Sequence, residues 1–246
     1  MKQELRVGIV IADEQEYKPM EAVALKYEGN PVTLFGYAGH SFSLTRTVGE
    51  RVRKITVKAL RCGIGMVNAA AATAFLLADG ADLIINTGLS GGFGDIRPGE
   101  ITVGTRFVEH DFDLTVLGYK PAEKPGQNYI YTANQLLCDL LMACVPQARL
   151  GVMASGDCFV SDSKTAAYLI ETFGALSCDM ESAAAASVCA RARRPFAAVR
   201  QISDGGNETA ATDYNEVNAR AEDTLVSIVM QMIDRLFQEE GFFAAN

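Results

Sequence analysis

The sequence predicts one α/β domain of three layers, with helices on both faces of a central mixed, largely parallel sheet. Three observations lead there. Apolar runs such as LRVGIVIA (5–12) and ADLIINTG (81–88) are too uniformly hydrophobic for a strand with one wet face, and fit strands covered on both sides. Stretches of helical composition, such as MVNAAAATAFLLADG (66–80), alternate with them. No repeat, low-complexity tract or linker breaks the 246 residues, so residues 1–246 read as a single domain around one large core.

In order, LRVGIVIA is a buried strand, and a polar helix follows from about Glu14. VTLFGYAG and HSFSLTRTVG read as a meander with glycine turns, and RKITVKALRCGIG as a strand that ends in glycines. The 66–80 helix closes on Gly80, a residue free to take the left-handed conformation common at helix ends. ADLIINTG breaks into the glycine-rich GLSGGFGD, and GEITVGTRFVEHD (99–111) is a strand running into a His-Asp loop. LGYKPAEKPGQNYIY, with two prolines and two glycines, is the most loop-like stretch. TANQLLCDLLMACV is helical, RLGVMASGD a strand, SKTAAYLIETFG a helix, and CDMESAAAASVC a helix of small residues with acids at its mouth. PFAAVRQISD is the last strand, and one long helix ends the chain.

Composition narrows the classes of function. With 49% hydrophobic and 21% charged residues the chain is globular, and a net charge of −8 disfavours a nucleic-acid backbone or an anionic membrane as partner. The six cysteines (62, 138, 144, 158, 178 and 189) form no CxxC pair and no zinc-like spacing, which predicts reduced thiols and a cytoplasmic protein. No apolar run is long enough for a signal peptide or a membrane span. Two histidines are too few for a His-rich metal site, GIGMVNAA is not the dinucleotide fingerprint, and no Ser-His-Asp elbow occurs. No metal or cofactor is expected.

Ligands of such sheets sit beyond the carboxyl ends of the strands. Those ends deliver ADEQE (12–16), CGIG (62–65), LSGG (89–92), DCF (157–159) and Asp204 followed by GGNE. Each has an ordinary reading. Acids at 13–16 usually just start a helix, Asp204 could cap the next segment, and Met180, Phe159 and Tyr214 would by default be core. His110 would be a loop residue hydrogen-bonded to Asp111 or Asp113. Gly63, Gly65, Gly91 and Gly92 would let backbone approach a flat ligand closely. Arg200, inside an apolar strand, must be paired, either in the core or in a site. In CDMESAAAASVC, Asp179 and Glu181 are helix-start acids or ligand-facing ones. The candidate catalysts are therefore carboxylates with one arginine.

Five blocks in register, NTGLSGGF, HDFDLTVLGY, SGDCFV, CDMESAAAASVC and VRQISD, resemble the 5′-methylthioadenosine/S-adenosylhomocysteine nucleosidases of the purine nucleoside phosphorylase superfamily, from Gly8 to about Tyr214. The resemblance implies a nucleoside phosphorylase-like fold and a homodimer. It further implies hydrolysis of the N-glycosidic bond of 5′-methylthioadenosine, S-adenosylhomocysteine or a related 5′-modified adenosine, with release of adenine, in nucleoside catabolism and methionine salvage. By motif position, Glu16 matches the water-activating glutamate, Asp204 the acid that protonates the purine at N7, and Arg200 the arginine that helps place the water. Glu181 matches the carboxylate on the ribose hydroxyls and Met180 the methionine against the ribose. Phe159 matches the aromatic on the base, and Val160 the residue whose backbone bonds the adenine edge. Ile64, Ser90, Gly91 and Tyr214 complete the pocket, while Tyr119 and Pro125 match positions that reach into the partner subunit's site.

The chemistry calls for these residue types. Adenine leaves poorly unless protonated, the sugar gains positive charge as the bond breaks, and water needs a base. The sequence departs from the family's pattern at Asp13, where an apolar residue is usual, and at Leu89, Asp179, Leu117, Tyr214 and GGNETAA after Asp204. A phosphate-dependent phosphorylase is the nearest alternative, but acids in the first loop repel phosphate. A non-catalytic nucleoside-binding protein on the same fold would have no need of Glu16, Glu181 and Asp204 together.

Overall fold

Side chains along the central strands point alternately to the two faces of the sheet, and both sets are buried against helical layers. The computed structural model describes residues 4–220 and 222–243. On β1 (Glu4–Ile11), Leu5, Val7, Ile9 and Ile11 join one core cluster and Val10 the other; β5 (Leu83–Gly92) and β10 (Phe196–Asp204) divide in the same way. The first cluster is closed by α1 (Glu14–Lys26), α3 (Gln135–Cys144) and α7 (Thr224–Leu236). The second is closed by α2 (Met66–Ala78) and α5 (Ser182–Ala192), whose alanines bring their backbones down onto the sheet. At Gly8 a Cβ would lie 2.6 Å from Ile84 Cδ1 and 3.2 Å from Leu76 Cδ1, so only glycine admits α2 this close to β1.

Ten strands form one mixed sheet in the order β10-β6-β8-β9-β5-β1-β4-β3-β2, with β7 (Ile130–Thr132) added to β6. The members not yet placed are β2 (Asn30–Leu34), β3 (Tyr37–Val48), β4 (Arg51–Arg61), β6 (Ile101–Glu109), β8 (Arg149–Ser155) and β9 (Ala175–Asp179). The β1–β4, β1–β5, β5–β10, β6–β8 and β8–β9 pairs are parallel. Because β10 pairs with β5 as well as β6, and β9 pairs with β5, five strands close on one another. Residues 91 and 92, which cross Cys178 and Ser177 at that seam, are both glycine.

The expected meander turns within VTLFGYAG at Phe35 and Gly36, both with positive φ (48° and 87°), as a two-residue hairpin with the strand twist requires. Two details differ from the sequence-based expectation. ALSCD is a strand of its own, β9, so Asp179 ends a strand rather than starting a helix. The long final helix is three: α6 (Ala210–Ala219), α7 and the short α8 (Glu240–Phe243). Only α7 carries a continuous apolar face, which fills the first core, whereas α6 buries just Ala210 and lies against the carboxyl end of β10. Between β8 and β9 in sequence sits α4 (Ser163–Phe173), capped by Asp162 through Thr165 N–H. Among the described residues, no helix is long and apolar enough to cross a membrane.

Candidate active site

The carboxyl ends of β1, β5, β9 and β10 converge, and each delivers an acid or the backbone that holds one. After β1, Asp13 caps α1: its Oδ1 accepts the Gln15 N–H at 2.7 Å, and the Glu16 carboxylate returns to the Asp13 N–H at 3.3 Å. The acids at 13–16 are thus a true helix start, and Glu16 is also aimed across to β5, where it accepts the Leu89 N–H at 2.7 Å. A Cβ at Gly88 would fall 2.7 Å from Arg200 Nη1 and 2.9 Å from Glu16 Oε2, so the absent side chain is what lets carboxylate and arginine meet over the strand. Burial raises the Glu16 pKa to about 7; the Leu89 N–H and Arg200 oppose the rise, and Glu181 adds to it.

Asp179 and Glu181 divide the work at the mouth of α5. Asp179 Oδ1 accepts from Ser155 Oγ (2.6 Å) and from the N–H groups of Glu181 (3.0 Å) and Ser182 (2.9 Å), so it caps the helix, while its Oδ2 lies 3.4 Å from Arg200 Nε. Glu181 faces the cleft, accepting the Gly65 N–H at 3.1 Å and lying 3.3 Å from Arg200 Nη2. Arg200 is 1% exposed and also donates to Asn86 Oδ1 (2.5 Å), Leu89 O (3.2 Å) and Ser182 Oγ (3.0 Å). Burial acts against ionisation of both acids. Arg200 and the hydrogen bonds nevertheless hold Asp179 below the usual carboxylate range, and Glu181, buried beside the Asp179 charge, is pushed above it.

Asp204 owes its direction to a bulge. Pairing of β10 with β5 slips between Ile202 and Asp204, leaving Ser203 as the extra residue and turning Asp204 toward Gly91. Its Oδ2 accepts from Ser203 Oγ (2.7 Å) and its Oδ1 from the Gly206 N–H (2.9 Å). Burial nonetheless raises its pKa above the usual range, with a smaller push from Asp213. A Cβ at Gly91 would meet Cys178 Sγ at 3.0 Å and Asp204 Oδ1 at 3.1 Å. Gly92 does not approach a ligand as expected; its space is taken by Ile96 and Ile202 in the core.

These groups enclose one cleft of about 280 Å³, at the lower end of the roughly 300–1,000 Å³ usual for small-molecule sites. Glu16, Glu181 and Asp204 all line it, as do Met180, Phe159, Val160, Ile64, Ser90, Gly91 and Tyr214. Phe159 and Tyr214 meet edge-to-face, 5.6 Å between centroids, and form one wall. Arg200 stays behind the carboxylates and does not line the cleft. Tyr119 and Pro125 lie outside it on the exposed loop after β6. Cys158, Cys178 and Ser203 line the cleft without having been singled out. Gly88 and Asn86 were also missed, although an asparagine inside LIINTG could have signalled a buried polar partner. His110 does not pair as expected: Asp111 takes the Asp157 N–H, Asp113 takes the Thr115 N–H, and His110 Nε2 sits 4.0 Å from Cys158 Sγ. No cluster suited to a metal ion occurs among the described residues.

Residues 6–234 match the model of the phosphorylase superfamily. The chain is 30% identical over 243 residues to the 5′-methylthioadenosine/S-adenosylhomocysteine nucleosidase of Geobacillus kaustophilus, covering 96% of this chain and 99% of that one. It is 34% identical over 187 residues to the enzyme of the same name from Exiguobacterium, covering 73% and 80%. Among solved structures, the nucleosidase of Neisseria meningitidis in complex with methylthio-immucillin-A superposes with a TM-score of 0.81 at 26% identity, over 93% of this chain and 98% of that one. With the carboxylate cleft in place and the match running nearly end to end, the chain belongs to the phosphorylase superfamily and, within it, to the 5′-methylthioadenosine/S-adenosylhomocysteine nucleosidase family.

Proposed function

We propose that this chain hydrolyses the N-glycosidic bond of adenine nucleosides modified at the 5′ position, 5′-methylthioadenosine and S-adenosylhomocysteine foremost, and releases adenine. Asp204, whose pKa burial raises, donates a proton to N7 of the purine, so the base departs neutral as the C1′–N9 bond breaks with its electron pair. Glu181 holds the ribose hydroxyls, and Met180 packs on the sugar. Phe159 covers the base, and the Val160 backbone meets its edge. Glu16, with a pKa near neutrality, takes a proton from the water whose oxygen bonds to C1′. Arg200 acts through the carboxylates it holds rather than by touching the substrate.

One observation carries the choice of water over phosphate. Every charged residue lining the cleft is an acid, namely Asp13, Glu16, Asp179, Glu181 and Asp204, and the nearest cation, Arg200, is already paired with two of them. A phosphorylase needs free donors or cations at the anomeric carbon. A phosphate-free assay for adenine against methylthioadenosine, adenosylhomocysteine, adenosine and inosine tests the assignment. Adenine from the first two without phosphate is expected; a requirement for phosphate, with a sugar 1-phosphate as product, would sink it. Binding without turnover would favour the non-catalytic reading.

A second copy of the chain belongs in the proposal. Val116 (91% exposed) and Leu117 (67%) present apolar surface in the same loop as Tyr119 and Pro125, which suits a homodimer whose partner loop completes the 5′ end of the site. Sedimentation should give twice the chain mass, and Leu117→Asp should yield monomers with a raised KM. Six free cysteines support a cytoplasmic location, and the substrates a role in methionine salvage.

A further inference from the structure

Glu16 walls two cavities. One is the substrate cleft; the other, about 30 Å³, lies behind the carboxylate and is lined by Glu16, Thr87, Gln201, Asn218 and Glu222 among apolar neighbours. That volume accommodates one or two water molecules, which need two to four polar partners each. Partners are present. Thr87 is 2% exposed, and its Oγ1 has no hydrogen-bond partner among the described residues, which marks the cavity as a place where a small polar molecule belongs. Gln201 Nε2 donates to Glu222 Oε2 at 3.2 Å, and Asn218 Nδ2 reaches Asp13 Oδ1 at 3.4 Å, so α6 and the segment before α7 are tied over the cavity. At the outer end Glu222 is 39% exposed and lies 3.7 Å from Arg220.

We propose that this cavity is a water-filled back door through which the proton taken up by Glu16 leaves, with Glu222 as its outer acceptor. The inference rests on the hydrolase reading given above. After each turnover Glu16 holds a proton that came from water, and Asp204 has lost one to adenine. While ribose and adenine fill the cleft, the front of Glu16 is shut off from solvent. The rear cavity offers the remaining path: the carboxylic acid gives its proton to a cavity water held by Thr87, that water gives one to the Glu222 carboxylate, and Glu222 gives it to bulk. Glu16 is then an anion again, and no co-reactant is needed. The charged and titratable groups that act on Glu16 are Arg200, Glu181, Asp13 and Tyr214, all outside the rear cavity, and Glu222 lies beside Arg220.

The test is Glu222→Gln, which keeps the size of the side chain and an acceptor for Gln201 but removes the proton acceptor. kcat for adenine release is expected to fall about tenfold, while KM and the dissociation constant of a non-hydrolysable adenine C-nucleoside stay within twofold. Imidazole added as a small mobile base should restore the rate in Glu222→Gln in proportion to its concentration, and leave the unaltered enzyme unaffected. Thr87→Val, nearly isosteric, should lower kcat in the same sense through loss of the water's holder. An unchanged kcat in Glu222→Gln, or a loss that imidazole does not repair, would overturn the proposal. Failure of the unaltered chain to release adenine would instead bring down the hydrolase reading on which it rests.

Discussion

Placing a methyl group at Gly88 tests whether Glu16 and Arg200 stand at the reacting centre. Gly88 lies mid-strand on β5 with an ordinary φ, so Gly88→Ala perturbs space and not backbone conformation. Its Cβ would sit 2.7 Å from Arg200 Nη1 and 2.9 and 3.0 Å from the two Glu16 oxygens, against 3.4 Å for ordinary contact. Both groups are anchored, Glu16 by the Leu89 N–H and Arg200 by Asn86, so each must retreat by about half an ångström or more. Misplacement on that scale lowers kcat roughly 10- to 100-fold. Overpacking costs about 1–3 kcal/mol, a fall in Tm of about 2–4 °C per kcal/mol for a chain of this size. Gly8→Ala is the control: it strikes Ile84 at 2.6 Å in the distant core, so it should lose comparable stability and keep its kcat. Adenine release under saturating substrate, with a thermal melt on each variant, reads both quantities. A folded Gly88→Ala protein with undiminished kcat would refute the placement of the base.

Other consequences can be measured on the same preparation. Asp204→Asn should lower kcat by about 10²–10⁴ with binding kept within an order of magnitude, because only the donated proton is lost; equal losses in both would remove Asp204 from that role. kcat/KM should fall as pH drops through about 7, where Glu16 becomes protonated, and that limb should vanish in Glu16→Gln. The same variant bears on stability. A carboxyl whose folded pKa is raised to about 7 stabilises the fold below its unfolded value near 4.5, and loses that contribution as pH rises through 7. Urea melts should therefore show Glu16→Gln gaining on the unaltered protein between pH 5 and 8, by about 1–3 kcal/mol. Asp179 runs the other way. Its depressed pKa stabilises the fold above the unfolded value and the contribution fades in acid, so Asp179→Ala should cost about 3–5 kcal/mol at pH 7 and less at pH 3.

What the sequence disclosed follows from which forces act locally. Strands β1 and β5 announce themselves because burial on both faces demands continuous apolar runs, and α2 because its alanines and Gly80 fit a helix and its end. β9 hid inside a stretch read as helix start, since five residues ending in Cys178 and Asp179 carry no periodicity of their own and are strand only because β8 pairs with them. The closure of five strands is likewise a long-range pairing with no local signal. In the site, Glu16 and Asp204 were legible as acids at strand ends, and Glu181 as an acid at the mouth of a small-residue helix. The bulge that turns Asp204, the bare Cα at Gly88 and the withdrawal of Arg200 behind Glu181 are matters of register and depth, which residue types do not encode.

Charge bookkeeping around Arg200 ties the cleft to its chemistry. Asp179, Glu181 and Glu16 all interact with this one guanidinium, and one cation cannot satisfy three buried anions. The outcome is visible in how they differ: Asp179, hydrogen-bonded three times through one oxygen, remains an anion, while Glu181 and Glu16 are pushed upward. The unliganded site is therefore short of positive charge on the side facing the cleft. In the proposed reaction the missing charge arrives with the substrate, and only partway through: as the C1′–N9 bond stretches, the sugar becomes cationic between Glu16 and Glu181. A neutral nucleoside gains little from that field in the ground state, whereas the transition state gains from both carboxylates at once, so the strain of crowding acids around Arg200 is relieved where it lowers the barrier. Removing the cation shows the same balance from the other side. Arg200→Met would leave Asp179, Glu181 and Glu16 without their shared cation, so they would take up protons from solvent to close the deficit and the site would lose its pull on the forming cation.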